Sequence, residues 1–261
     1  PTPTPLSPLS YPPPLPQAAH AGAVATLEFL SGSAELISSG ASDNCIQVWS
    51  ASSPDGILRP LRRRAGHASP PSAVRFHTDA LFVGGGPGGQ AWLLSGGSDR
   101  TLRLSSIWTP HQDTEFSQKR EERKKPRRLG EGGTDATADA LARRLPPLLD
   151  LATSMRRERE WANVLSCHAQ HDIAYTWDTS TKALAAHRLF PRPRAPVCAV
   201  TISACGHFGF TATTLGSIDK FNLQSGLHRA ACEAAARHAG SVRGLAADGA
   251  GRAIYSAGVR V

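Results

Sequence analysis

Short apolar runs alternate with polar positions along most of the chain and stop at Gly, Ser, Asn or Asp. Alternation with a period of two marks half-buried strands, and the bounding residues are turn formers. One arrangement recurs. Residues 36–50 read LISSGASDNCIQVWS, and residues 93–105 read LLSGGSDRTLRLS. Each gives an apolar pair, a Ser, a Gly, small residues, an Asp, a turn residue and then apolar alternation. Each follows a His: HAGAVATLEF starts at His20, and GHASPPSAVRF starts at Gly66. The opening returns as HAGSVRGLAAD at His238, followed by AIYSAG at 253–258. Asp43 and Asp99 lie 56 positions apart, and His20 and His67 lie 47 apart. That period is slightly above the usual one for a repeat of four short strands, and loop insertions absorb the excess.

The recurring residues are chemically complementary. A His before the first strand, a Ser on the second, an Asp in the next turn and a Trp on the third can share one buried hydrogen-bond network. In the first copy these are His20, Ser39, Asp43 and Trp49. Imidazole donates and accepts, carboxylate accepts and indole N–H donates. The second copy offers His67, Ser95 and Asp99, with Ser105 at the Trp position. A Ser/His/Asp set also suggests a hydrolase triad. There is no GxSxG elbow, and the set recurs with the spacing of a structural repeat, so no catalytic residue is assigned.

Two weaker copies follow. Residues 161–178, WANVLSCHAQHDIAYTWD, end in Trp177-Asp178, with Cys167 expected at the Ser position and His171 at the Asp position. Residues 197–222, VCAVTISACGHFGFTATTLGSIDKFN, give a strand, a turn at Cys205-Gly206 and two more strands, with Phe221 at the Trp position. The expected fold is all-β: four WD40 β-propeller blades and part of a fifth, forming an incomplete propeller with a basic, partly disordered insert. The chain lacks an initiator Met and stops inside the fifth copy, which points to a piece of a longer product.

Composition narrows the function classes. Gly and Pro are abundant (24 and 20), which suits short strands and turns. The net charge of +8 favours nucleic acid or acidic partners. Five irregularly spaced cysteines suggest a reducing compartment rather than a disulfide framework. Cys167-His168 with His171, and Cys205 with His207, lack the paired spacing of a zinc site, so neither metal nor cofactor is expected. No long apolar run suggests a membrane span, and the N-terminus does not read as a signal peptide.

Four segments are expected: a Pro-rich disordered tail at 1–19, repeats at 20–105, a basic insert or linker at 106–160 and repeats at 161–261. The insert carries Lys119, Arg120, Arg123, Lys124, Lys125, Arg127 and Arg128, seven positive charges within ten residues. It is a candidate for RNA-phosphate contact or nuclear localisation, and equally for a solvated charged loop. The run contains no aromatic residue, so base stacking is not expected. Arg62, Arg63 and Arg64 form a second cluster, expected on the surface, and Leu145–Leu151 suggests a short apolar docking segment.

The order of these features resembles one WD family, the twin-propeller WD-repeat subunit of the small-subunit processome in its UTP-B subcomplex. The resemblance is carried by ILRPLRRRAGHASPPSAVRFH at 57–77, WLLSGGSDRTLRLSS at 92–106, RLPPLLDLA at 144–152, EREWANVLSCH at 158–168 and YTWD at 175–178. It continues in AVTISACGHFGFTATTLGSIDKFNLQSGLHRA at 199–230 and HAGSVRGLAADG at 238–249. It implies that 20–105 are late blades of a first propeller and 161–261 early blades of a second. It also implies a nucleolar, non-catalytic scaffold for ribosome biogenesis. The implied partners are other UTP-B and processome proteins, the U-three snoRNA and precursor rRNA, with no membrane and no small-molecule substrate. The competing expectation is a generic WD adaptor, such as a ubiquitin-ligase receptor or a chromatin subunit.

Overall fold

The computed structural model describes residues 19–30, 33–78, 91–109, 111–123, 141–233 and 237–259. The Pro-rich tail 1–18, residues 79–90 and residues 124–140 lie outside them. Strands dominate the described residues. The first sheet holds β1 (Val24–Phe29), β2 (Glu35–Gly40), β3 (Cys45–Ser50) and β4 (Arg59–Ala65) in that order. The second holds β5 (Pro71–His77), β6 (Trp92–Gly97), β7 (Leu102–Ser106) and β8 (Asp113–Glu115). A short helix, α1 (Lys119–Glu122), precedes the third sheet. That sheet is built from β9 (Leu148–Thr153), β10 (Val164–His168), β11 (Ala174–Asp178) and β12 (Ala183–Leu189). The fourth holds β13 (Val197–Ile202), β14 (Phe208–Thr213), β15 (Ile218–Asn222) and β16 (His228–Ala231). A final pair, β17 (Val242–Ala247) and β18 (Ile254–Gly258), completes the row. All paired strands within these sheets are antiparallel neighbours in sequence, as expected of WD40 blades.

The first strand of each blade packs against the first strand of the next, from β1 through β5, β9 and β13 to β17. The cores therefore lie between blades, because the sheets inside the row bury both faces. Ile37, Ile46 and Val48 of blade 1 meet Val74, Phe76 and Leu93 of blade 2. Leu94, Leu102 and Leu104 of blade 2 meet Leu148, Leu151, Val164 and Trp177 of blade 3. Leu165 and Leu189 of blade 3 meet Val197, Val200 and Phe221 of blade 4. Each such fully buried side chain contributes about 1.5–3 kcal/mol of burial free energy. The row is open: Val24, Leu27 and Phe29 are exposed at one end, and Tyr255 and Val259 at the other.

Charge also ties the inner strands together. The Arg75 guanidinium on β5 lies 2.9 Å from Asp150 on β9 and 3.7 Å from Glu28 on β1. The Phe76 N–H donates to Glu28 Oε1 (3.1 Å), and the Val200 N–H donates to Asp150 Oδ2 (3.1 Å). Four blades are thus linked by three side chains. Burial pushes both carboxyls above their usual range, against the pull of Arg75.

The stretch 106–160, expected as an insert or linker, contains β8, α1 and β9. The apolar segment at Leu145–Leu151 supplies β9, the innermost strand of blade 3. It has lost the alternation of a one-sided strand because Leu145, Leu148 and Leu151 are buried between blades. Blades 2 and 3 approach closely there. A Cβ on Gly96 would stand 2.5 Å from Leu148 Cδ1, so that position leaves no room for a side chain.

Candidate functional site

The polar networks sit at one end of the blades, where second strands turn into third strands. In blade 1, His20 Nδ1–H donates to the Asp43 carboxylate (3.0 Å), and His20 Nε2 meets Ser38 Oγ at 2.8 Å. Trp49 Nε1–H donates to the same Ser38 oxygen at 2.8 Å. The serine in this network is therefore Ser38, not the expected Ser39. Successive strand residues face opposite sides, so Ser39 points away, meeting Thr26 Oγ1 (2.7 Å) and donating to the Pro71 carbonyl (3.2 Å). Register gives the same answer. Leu36 faces Trp49 and Leu93 faces Ser105, so Ser38 and Ser95 are equivalent.

In blade 2, His67 Nε2 meets Ser95 Oγ at 2.8 Å, and His67 Nδ1 meets Asp99 Oδ2 at 2.8 Å. Asp99 also accepts from the Ala68 N–H (3.0 Å), the Thr101 N–H (3.1 Å) and the Thr101 hydroxyl (2.9 Å). Burial opposes the charged carboxylate, but His67 and the Thr101 donors outweigh it and hold the Asp99 pKa down at about 2. Ser105, at the Trp position, turns its hydroxyl to Asp113 instead (3.2 Å).

Blade 3 lacks a His four residues before its first strand, where Arg144 stands. Its second-strand serine is Ser166, not the expected Cys167, because Val164 faces Trp177 as Leu36 faces Trp49. Trp177 Nε1–H donates to Ser166 Oγ at 2.7 Å. His168, two residues along the same strand, brings Nε2 to 3.0 Å from that hydroxyl. Its Nδ1 lies 2.7 Å from the Pro146 carbonyl, which can only accept, so Nδ1 carries the proton and Nε2 receives the serine O–H. Burial lowers the His168 pKa to about 4, against the Pro146 hydrogen bond, and the ring stays neutral. His171, expected at the Asp position, instead lies beside Tyr175, ring to ring at 5.5 Å.

Blade 4 uses a fourth arrangement. Thr211 takes the serine position, and Phe221 the Trp position. Asp219, fully buried on β15, accepts from His228 Nε2–H (2.7 Å) and from the Arg192 N–H (3.3 Å). His228 belongs to FNLQSGLHR, whose turn is built locally. Asn222 Oδ1 accepts from the Ser225 N–H (2.9 Å), and Gly226 sits at φ +72°, against His187. In blade 5, His238 Nε2 meets Ser256 Oγ at 2.8 Å.

These sets share the connectivity of a hydrolase triad, but the serine cannot act as a nucleophile. Ser38 and Ser95 are 2% and 1% exposed, and the Ser38 oxygen is already occupied by Trp49. A cavity of about 170 Å³ touches His20, Asp43, Cys45, Gln47 and Arg63 but not Ser38. Among the described residues, no group of three His, Cys, Asp or Glu side chains is placed to hold a metal ion. Nor is any described helix long and apolar enough to cross a membrane.

The exposed chemistry is basic. Lys119, Arg120 and Arg123 are exposed on and beside α1, while Lys124, Lys125, Arg127 and Arg128 lie outside the described residues. Arg62 and Arg63 lie on β4, at the outer edge of blade 1, and Arg63 Nε–H donates to Cys45 Sγ (3.0 Å). Arg64 turns inward to the carbonyls of Ser106 and Thr109.

Residues 85–261 match a family model described as the WDR36/Utp21 second beta-propeller domain. The chain belongs to this family. It is 34% identical over 216 residues to a Schizosaccharomyces pombe protein named U3 small nucleolar RNA-associated protein 21 homolog, covering 81% of this chain. It is 31% identical over 244 residues to human WD repeat-containing protein 36, covering 92% of this chain. It is 30% identical over 247 residues to Saccharomyces cerevisiae U3 small nucleolar RNA-associated protein 21, covering 91% of this chain. The aligned regions span 21%, 26% and 24% of those relatives' own lengths. Within the family match lie both irregular blades, with the His168 and His228 solutions described above.

Proposed function

We propose that this family member works as part of a non-catalytic WD-repeat scaffold. It supports processing of small-subunit rRNA and assembly of the small-subunit processome in the nucleolus. Its partners are other UTP-B and processome proteins, with the U-three snoRNA and precursor rRNA reached directly or through the complex. The observation that carries this reading is the match to relatives named for association with the U3 small nucleolar RNA, over 81% and 91% of this chain. The chemistry agrees: the buried polar sets hold blades together, and the exposed basic residues suit phosphate.

The test is affinity purification of the tagged full-length polypeptide from cell extract, with bound proteins and RNAs identified. Recovery of UTP-B proteins with the U-three snoRNA and precursor rRNA supports the scaffold reading. Recovery of a ligase or chromatin complex without snoRNA overturns it and leaves the blades standing. Deletion of 119–128 then reports whether the basic run contributes to RNA recovery or to nuclear entry.

A further inference from the structure

The start of the basic run is held in place. Phe116 is buried with its ring edge-on to Trp177, centroids 6.1 Å apart. The Ser117 N–H donates to the Lys182 carbonyl, and the Leu184 N–H donates to the Ser117 carbonyl, each at 2.9 Å. Gln118 is buried too. Its amide donates to the Arg100 carbonyl (2.6 Å), and its Oε1 accepts from the Leu145 N–H (2.9 Å). Glu121 forms an ion pair with Arg188 on β12. These contacts leave Lys119, Arg120 and Arg123 facing solvent from a fixed backbone.

The direction of the chain matters. Ser117 pairs with Ala183 in parallel, so the segment runs along the outer edge of β12 in the same sense as β12 itself. Glu121 reaches Arg188, and one residue later β12 ends at Leu189. The connection 190–196 begins there and carries the exposed residues Arg192 and Arg194. This connection is also fixed. The Arg192 N–H donates to Asp219, and the Arg194 guanidinium sits 4.4 Å from the Phe190 ring centroid and 3.1 Å from Asp172. Both segments join a fourth strand to the next first strand, so they share one end of the blades.

We propose that Lys119, Arg120 and Arg123 beside α1, together with Arg192 and Arg194 after β12, form one surface that takes an RNA phosphate backbone across blade 3. This deepens, and rests on, the reading that the basic run touches RNA. Guanidinium and ammonium groups bind phosphate oxygens regardless of base, so the surface positions RNA without reading its sequence. Of the nearby carboxylates, Glu121 is held by Arg188 and Asp172 by Arg194, while the half-buried Glu122 on α1 offsets one of the positive charges. A fixed array loses less side-chain and loop entropy on binding than a free tail does.

The test uses the full-length polypeptide and fluorescent oligouridylate, titrated over a salt series. Two charge-neutral variants are compared with wild type: K119Q/R120Q/R123Q and R192Q/R194Q. Each should weaken binding and make the slope of log Kd against log salt shallower, by about one for every phosphate that is no longer neutralised. Arg188→Met, which releases α1, should weaken binding in the same direction. Wild-type affinity and slope in R192Q/R194Q, with loss in the α1 variant, would overturn the shared surface and leave the run binding alone. Loss in R192Q/R194Q with an unchanged α1 variant would equally break the pairing. No change in either would remove all five residues from RNA contact. Loss of a protein partner at intact RNA affinity would assign the surface to an acidic protein instead.

Discussion

Blades 2 and 3 place a serine at the same point of the second strand and treat it differently. In blade 2 the imidazole arrives from before the first strand, and a carboxylate behind it carries the charge. In blade 3 the imidazole comes from the end of the second strand itself, and a backbone carbonyl stands behind it. Blade 2 gives up the tryptophan and keeps the His–Asp hydrogen bond, whereas blade 3 keeps the tryptophan and gives up the His–Asp hydrogen bond. What the two share is a buried hydroxyl with a partner. Leaving such a group unpaired costs about 1–3 kcal/mol, and in both of these blades a lost donor or acceptor is replaced by another nearby. Between these two blades the source of the imidazole differs, and the hydroxyl is met in both.

The largest test of that comparison is Trp177→Ala. Trp177 is fully buried, packs on Phe116 and donates to Ser166, so its loss should cost about 3–5 kcal/mol. Trp49→Ala should cost less, because Trp49 is only partly buried. Urea denaturation followed by hydrogen exchange in β10–β11 and β2–β3 compares them, and equal losses would mean that blade 3 depends on its tryptophan no more than blade 1 does. The next effect separates two adjacent serines. Ser38→Ala should cost about 1–3 kcal/mol, since His20 and Trp49 both lose a partner. Ser39→Ala, on the opposite face, should cost less, and the reverse order would put the network on the wrong face. Gly226→Ala should be the smallest, about 1–2 kcal/mol for forcing a Cβ into the left-handed region beside His187. Exchange of the Asn222–Leu227 turn amides reads that effect.

The all-β architecture was legible from alternation and from the turn residues, because each blade is built from local strands with short connections. The ambiguity lay between neighbours. Aligning the first two copies on their glycines selects Ser39, whereas counting from the apolar pair selects Ser38, and one residue decides the face. The same count through Val164 and Leu165 would have found Ser166 rather than Cys167. β9 was hidden because a strand buried between two blades has no polar face to show. Asp219 carried a readable sign: it stands two residues before Phe221, on the same buried face. Its partner His228 lies beyond a turn, and only the fold brings the two together. The docking of α1 on blade 3 was not legible, since it depends on Arg188, distant in sequence.

The most direct measurement is the pH dependence of stability in blade 3, with His168→Gln beside wild type. His168 in the folded blade has its pKa lowered to about 4 by burial, whereas an unfolded histidine titrates near pH 6.5. Between those values the unfolded chain binds the proton and the folded blade does not, so stability falls as pH falls. Full stability should hold above about pH 6.5, with roughly 3 kcal/mol lost on the way to about pH 4. Blade 2 should hold longer. Asp99 is depressed to about 2, so its contribution disappears only as pH falls below about 4. Hydrogen exchange of the β10 and β6 amides across this range should show blade 3 loosening first, with that acid loosening removed in the His168→Gln variant. Parallel loosening of both blades, or an acid slope unchanged by the substitution, would contradict a buried neutral imidazole as the group that completes blade 3.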